Sequence, residues 1–337
     1  MSSSLPSSSV LSELAQVVVL TGASSGIGRA TALAFAHAGA ALVLAARNRE
    51  ALEAVAAECI EAGADALVVP TDVTDSDAMQ ALADAAIERF GAIDVWINNV
   101  GIGAVGLFDA TPMASHRRVV ESNLIGHMNG AHAVVPHFRQ RGRGILINMI
   151  SLGGWVSAPY AAAYTASKFG IRGFSESLRA ELSTLPGVHV CEVYPTFVDT
   201  PGISHGANYT GRTIKPPPPL VDPRRVAAAL VSLSRRPRAS VYIGSPALPG
   251  ILAHAVAPNL VARTMMWLTE RALERSDPAA QTDGNLFGAS RGNAVDGGFR
   301  APSGAHAAAT AAAGAAAVVL GTVAFAAWWM ARGRRRY

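Results

Sequence analysis

The stretch from Gln16 to His37 limits the fold of this chain more than any other. A short apolar run at 16–20 leads into Thr21-Gly22-Ala23-Ser24-Ser25-Gly26-Ile27-Gly28, and residues 29–37 then read as a helix. A strand, a glycine-rich turn and a helix in that order aim backbone N–H groups and a helix N-terminus at a pyrophosphate. Gly22 permits the tight turn, and Gly26 and Gly28 allow phosphate and sheet to approach the backbone closely. Glycines alone would also suit an ordinary turn. The flanking strand and helix favour the dinucleotide reading.

The same alternation continues downstream. Further strands are predicted at 41–46, 66–69, 93–97, 145–150, 188–194 and 240–243. Helices are predicted at 50–62, at 75–90 with Asp75 or Ser76 as N-cap, and at 111–138, 158–185 and 222–235. Strands separated by helices imply parallel crossovers. The expected fold class is therefore α/β: a doubly wound, seven-stranded parallel sheet with helices on both faces, plus a C-terminal helical extension. Hydrophobic residues make up 50% of the 337, enough for a substantial core, while charged residues at 15% are few and hint at membrane contact. The net charge of +4 owes part of its excess to a terminal Arg cluster, and no aromatic-interleaved basic patch points to nucleic acid. Cys59 and Cys191 lie far apart in sequence and read as buried free thiols, and the histidines lack metal-ligand spacing. No metal site is expected.

Candidate site residues gather where strands end, the edge at which open α/β sheets bind ligands. The strand at 41–46 is followed by Arg47 rather than by an acid. A guanidinium there suits a 2′-phosphate, so NADP(H) is favoured over NAD(H). Asp72 and Val73 follow the third strand, where an adenine ring would pack. Asn98-Asn99-Val100-Gly101 follows the fourth. Tyr164 and Lys168 stand four apart and share a helix face. An ammonium beside a phenol favours the phenolate and brings it toward working range as a proton donor or acceptor. Ser151 follows the strand at 145–150 and can present its hydroxyl to the same pocket.

Taken together, these motifs resemble the single-domain, Tyr-x-x-x-Lys branch of the short-chain dehydrogenase/reductase family over about residues 15–245. Thr21-Gly22-x-x-x-Gly26-x-Gly28 resembles its cofactor turn, and Asn98-Asn99-Val100-Gly101 its Asn-Asn-Ala-Gly. Ser151 precedes Tyr164 by the family's catalytic spacing. The resemblance implies a Rossmann-type fold and a catalytic set of Asn123, Ser151, Tyr164 and Lys168, in which Asn123 bends its helix and supports the proton relay. It also implies cofactor contacts from Thr21, Gly22, Ser24, Ser25, Gly26, Ile27, Gly28, Arg47, Asp72, Val73, Asn99, Gly101, Tyr164, Lys168, Pro195, Val198 and Thr200. Pro195-Thr196 replaces the family's usual Pro-Gly. The implied activity is NADP(H)-linked interconversion of a small-molecule carbonyl and alcohol, with a hydrophobic substrate favoured. A homo-oligomer is implied as well. An epimerase or dehydratase reusing the Tyr/Lys pair, and a non-catalytic NADP-binding membrane scaffold, are the rival readings.

The remaining segments divide the chain further. Residues 1–14 read as a disordered, Ser-rich lead-in without signal-peptide character, which places the catalytic domain, 15–245, in the cytoplasm. Residues 201–220 read as a substrate-covering lid. Residues 246–276 read as a helical cap over the pocket, with a membrane-lying helix as the alternative. Residues 277–306 read as a linker. Residues 307–331 carry no charge, include Trp328 and Trp329, and read as a membrane-embedded helix; a soluble Ala-rich helix is the alternative. Residues 332–337 form a basic tail. The Arg cluster and the cofactor would both belong on the cytoplasmic side, so the orientation of a single span stays open.

Overall fold

A computed structural model describes residues 15–245, 247–290 and 292–300. The expected lead-in at 1–14, the membrane helix at 307–331 and the basic tail at 332–337 lie outside the described residues, as does the end of the expected linker.

The first half alternates as predicted. β1 (Val17–Thr21) leads to α1 (Gly26–His37), β2 (Ala41–Ala46), α2 (Arg49–Glu61), β3 (Ala66–Pro70), α3 (Ser76–Phe90) and β4 (Val95–Asn98). Local chemistry sets the helix ends. Asn48 caps α2 by accepting from Ala51 N, and Asp75 caps α3 by accepting from Asp77 N and Ala78 N. Each such cap stabilises its helix by about 1 kcal/mol. Gly91 closes α3 in the left-handed conformation that a side chain would resist.

The region expected as one helix over 111–138 is interrupted. A short β5 (Ala104–Val105) precedes α4 (Met113–Val120). A π-turn at Glu121–Ile125 then joins α4 to α5 (Gly126–Arg141). β6 (Gly144–Met149) is followed by a single 3₁₀ turn at Leu152–Gly154 and by α6 (Ala162–Glu181). α6 starts later than predicted because Tyr160 sits in the left-handed region at φ 63°. β7 (Val188–Pro195), α7 (Gly202–His205), β8 (Ala207–Asn208), α8 (Pro223–Arg235) and β9 (Ser240–Ile243) complete the core, and α9 (Ala247–Val256) and α10 (Pro258–Glu274) extend it.

Seven parallel strands form the main sheet in the order β3-β2-β1-β4-β6-β7-β9. The order reverses between β1 and β4, the crevice where such sheets hold ligands. One apolar cluster, with Leu20, Phe35, Leu44, Leu52 and Leu230, fills one face. A second, with Trp96, Phe138, Met79 and Leu82, fills the other. Cys59 and Cys191 are buried free thiols.

Three segments outside the main sheet remain. The stretch at 201–220, read as a lid, is held to the core: β8 pairs in parallel with β5, and Val198 bridges to Val221. The cap is only partly packed. α10 has no fully buried residue, and α9 exposes Leu248, Leu252 and Val256 along one face. The linker reading fails for residues 277–290 and 292–300. Backbone pairing of Thr282 with Asn208, and of Asp277 with Thr213, fastens this stretch to the core. Its polar composition serves hydrogen bonding to the core rather than solvation. Among the described residues, no helix is long and apolar enough to cross a membrane.

Candidate active site

The glycine turn closes as its spacing requires. Gly22 and Gly26 adopt φ 68° and 54°, and a Cβ on Gly28 would stand 1.9 Å from the Gly22 carbonyl oxygen. Only glycine fits these positions without moving backbone. Thr21 Oγ1 donates to Ile97 O and accepts from Asn99 N, while the Asn99 amide donates to the carbonyls of Thr21 and Gly22. The Asn99 side chain thus ties the turn after β1 to the loop after β4. Among the described residues, the N–H groups of Ile27 and Gly28 and the hydroxyls of Ser24 and Ser25 have no protein partner. Donors at a helix N-terminus next to a glycine cradle fit a dinucleotide pyrophosphate.

Asn123 lies in the π-turn, fully buried. Its Oδ1 accepts from Ile102 N at 2.9 Å, and its Nδ2 donates to Ile102 O and to Ser167 Oγ, both at 3.0 Å. These bonds press the loop after β4 against α6. A Cβ on Gly101 would stand 3.6 Å from Lys168 Nζ, and one on Gly103 would stand 3.9 Å from Tyr164 Cδ2. Tyr164 and Lys168 share the inner face of α6, with Nζ 5.6 Å from the ring centroid. Lys168 is 3% exposed, and its ammonium donates to Met149 O at 3.0 Å.

Ser151 closes the group from β6. Its φ of 147° lies in territory that side chains rarely enter. Strain of that kind costs about 1–3 kcal/mol and tends to persist at functional positions. The conformation is held by Gly153 N donating to Ser151 Oγ at 3.1 Å and by Gly154 N donating to Ser151 O.

The electrostatics depart from the sequence reading. In the protein alone, burial lowers the Lys168 pKa to about 7. Burial also raises that of Tyr164, and the nearby Ser151 hydroxyl is what opposes the rise. The expectation that a lysine charge acidifies the phenol is thus corrected for this state. Burial is the largest influence on both groups, and it favours the neutral form of each.

Arg47 lies where predicted, at the end of β2, but its guanidinium already has protein partners. Nη2 donates to Asn285 O at 2.8 Å and Nη1 to Leu286 O at 3.4 Å. Asp72 is engaged as well, with Arg118 at 2.8 Å and with Thr74. These bonds hold its carboxyl below the ordinary carboxylate range although burial alone would raise it. Val73 packs beneath α5, where a Cβ on Gly126 would meet it at 2.6 Å. Pro195 ends β7, Val198 follows in the same loop, and the Thr200 side chain reaches the glycine turn: a Cβ on Gly26 would stand 3.2 Å from Thr200 Cβ.

Sequence reasoning missed Arg118, Ile102, Ser167 and Leu286. Each acts through a partner distant in sequence, and no spacing rule reports such contacts. A cavity of about 480 Å³ opens beside Tyr160, lined by Leu107, Tyr209, Arg212, Glu270 and Leu273 and by none of the predicted site residues.

Comparison with known proteins bears on the family and the fold. The family pattern described as short chain dehydrogenase matches residues 16–206. The chain is similar to an uncharacterized oxidoreductase, YxnA, of Bacillus subtilis (strain 168), at 34% identity over 79% of this chain and 77% of that one. An alcohol dehydrogenase from the archaeon Thermococcus sibiricus, solved with 5-hydroxy-NADP, superposes with a TM-score of 0.60 at 28% identity, covering 68% of this chain and 95% of the other. A metagenomic short-chain oxidoreductase solved with NADP gives a TM-score of 0.59 at 31% identity, covering 68% and 97%.

Proposed function

Because the chain belongs to the short-chain dehydrogenase family, whose relatives here are oxidoreductases, we propose that it is an NADP(H)-dependent enzyme interconverting a carbonyl and an alcohol. Tyr164 serves as its acid/base. The observation that carries this reading is the convergence of Ser151, Tyr164 and Lys168 beside Gly101, at the carboxyl end of the sheet.

The residues present fit the cofactor. Ile27 N, Gly28 N and the hydroxyls of Ser24 and Ser25 would hold the pyrophosphate, Arg47 the 2′-phosphate, and Asn99, Gly101, Val198 and Thr200 the nicotinamide half. NADP(H), when bound, supplies or accepts the hydride. The binding of NADP and 5-hydroxy-NADP by the two structural neighbours supports the choice of cofactor.

The chain's own groups manage the proton. Ser151 Oγ bonds the substrate oxygen and offsets its developing charge. In reduction the Tyr164 hydroxyl donates its proton to that oxygen; in oxidation the phenolate takes it back. Lys168 becomes a full ammonium beside an anionic ligand and then stabilises that phenolate. Asn123 fixes the loop that carries Gly101 and Gly103.

A hydrophobic substrate is favoured by the apolar composition of residues 246–276 and 307–331. Contact of residues 307–331 with a membrane would suit such a substrate, and retention of the full chain on vesicles would test it.

The decisive experiment is Tyr164→Phe. Turnover, followed by NADPH absorbance across a panel of carbonyls, should fall by about 10²- to 10⁴-fold while NADPH still binds. Undiminished turnover in that variant would sink the assignment.

A further inference from the structure

Residues 282–290 and 292–300 run from β8 past the end of β2 and the start of α1 to the loop after β7. The path begins at β8, where Thr282 pairs with Asn208 and Asp283 Oδ1 accepts from the Tyr209 hydroxyl at 2.6 Å. Asn285 N then donates to His205 O, and the carbonyls of Asn285 and Leu286 accept from Arg47. The Leu286 carbonyl also accepts from Arg118 Nε at 3.0 Å, and the Leu286 side chain is fully buried in the cluster of Ile102, Val119 and Tyr209. Farther on, Ser290 O accepts from Asn48, Asn293 O from Arg29, and Ala294 O from Gly26 N at 2.9 Å. The segment ends at the loop after β7. There Gly297 N donates to Asp199 O, and Arg300 pairs with Asp199, Asp222 and Asp296, while Asp296 also pairs with Arg224 at 2.8 Å.

The anchors thus stand at the carboxyl ends of β2 and β7 and at the start of α1. The cofactor reading lays a dinucleotide along that same edge. The strap takes Gly26 N and part of Arg47 from the rim. It leaves Ile27 N, Gly28 N and the hydroxyls of Ser24, Ser25 and Thr200 without protein partners among the described residues. The inner donors needed for phosphate and carboxamide therefore remain available while the outer side is closed. This arrangement is a cover rather than a substitute ligand.

We propose that residues 282–290 and 292–300 form a retaining strap over bound NADP(H), positioning Arg47 through the Asn285 and Leu286 carbonyls, and that opening of the Arg300–Asp296 latch governs cofactor exchange. This inference rests on the cofactor reading above. The latch is suited to opening. Its members other than Asp199 are partly exposed, and exposed ion pairs are individually weak. The Leu286 end is buried and should act as the fixed hinge side.

The test uses the full chain. NADPH is preloaded, then chased with excess NADP⁺, and the loss of nucleotide fluorescence gives the release rate. Asp296→Ala removes a partly exposed side chain outside the proton-transfer site, and Arg300→Ala opens the same latch from its other side. Release should quicken about three- to tenfold in both, the scale of a partly exposed ion-pair network. Chymotrypsin cleavage after the exposed Phe287, measured on the wild type, should slow when NADPH is added. Release rates unchanged in both variants, or faster cleavage with NADPH, would overturn the strap. Absence of any NADPH binding to the wild type would instead overturn the cofactor reading, and the strap with it.

Discussion

Asn123 grips both backbone groups of a single residue: its Oδ1 accepts from Ile102 N at 2.9 Å and its Nδ2 donates to Ile102 O at 3.0 Å. A π-turn in the helix places the amide there. One side chain thereby holds the loop whose glycines border Lys168 and Tyr164.

Replacing Asn123 by Ala strands a buried N–H and a buried carbonyl and removes the bond to Ser167. Stability should fall by about 2–4 kcal/mol. Urea unfolding is the measurement, with Ser167→Ala as the milder control. Equal losses in the two variants would argue against the Ile102 clamp.

Lys168 imposes a pH dependence on the protein without ligand. Its pKa is about 7 when folded and near 10.5 when unfolded. Between these values the unfolded chain binds more protons, so its contribution to stability rises with pH from about 7 to about 10.5 and is lost as pH falls back through that window. Lys168→Gln should flatten that part of the stability–pH curve. A slope unaltered by the substitution would show that the ammonium is not desolvated as described.

The same group should couple NADPH binding to protons. An anionic ligand favours the ammonium, so affinity should weaken as pH rises above about 7. Titration calorimetry in buffers of different ionisation enthalpy would register the proton uptake. Binding without uptake would contradict the coupling.

Arg47→Ala should weaken NADPH binding about 10- to 100-fold, the range for a lost charge-assisted hydrogen bond, and NADH binding far less. Fluorescence titration with both nucleotides measures the difference. Parallel losses would mean that Arg47 serves the Asn285 anchor rather than the 2′-phosphate.

Gly28→Ala forces a Cβ to within 1.9 Å of the Gly22 carbonyl oxygen. Relief requires moving β1 or α1, at a cost of about 3 kcal/mol or more. Thermal unfolding would detect it.

The sheet was legible because each strand and helix reports itself through local pattern. β1 through β4, for example, appear in sequence as apolar runs separated by helical periodicity, and the ends of those runs mark the ligand edge. Tyr164 and Lys168 were legible for a similar reason, since a spacing of four puts them on one helix face. The π-turn was not legible from the residues themselves, because Glu121–Ile125 carries no composition that separates it from an α-helix; only the family resemblance, which has Asn123 bend its helix, pointed to a break there. The depressed lysine pKa was not legible either, since desolvation depends on what surrounds Nζ.

Sequence alone determined the α/β alternation, the glycine turn and the Tyr164–Lys168 face, all of which follow from backbone periodicity over a few residues. Tertiary structure alone decided that the polar stretch at 282–290 and 292–300, which looks like a tether, is fastened to the core. Its partners Arg29, Arg47, Asp199 and Arg224 come from four separate parts of the chain, and only the closed sheet brings them within hydrogen-bonding distance.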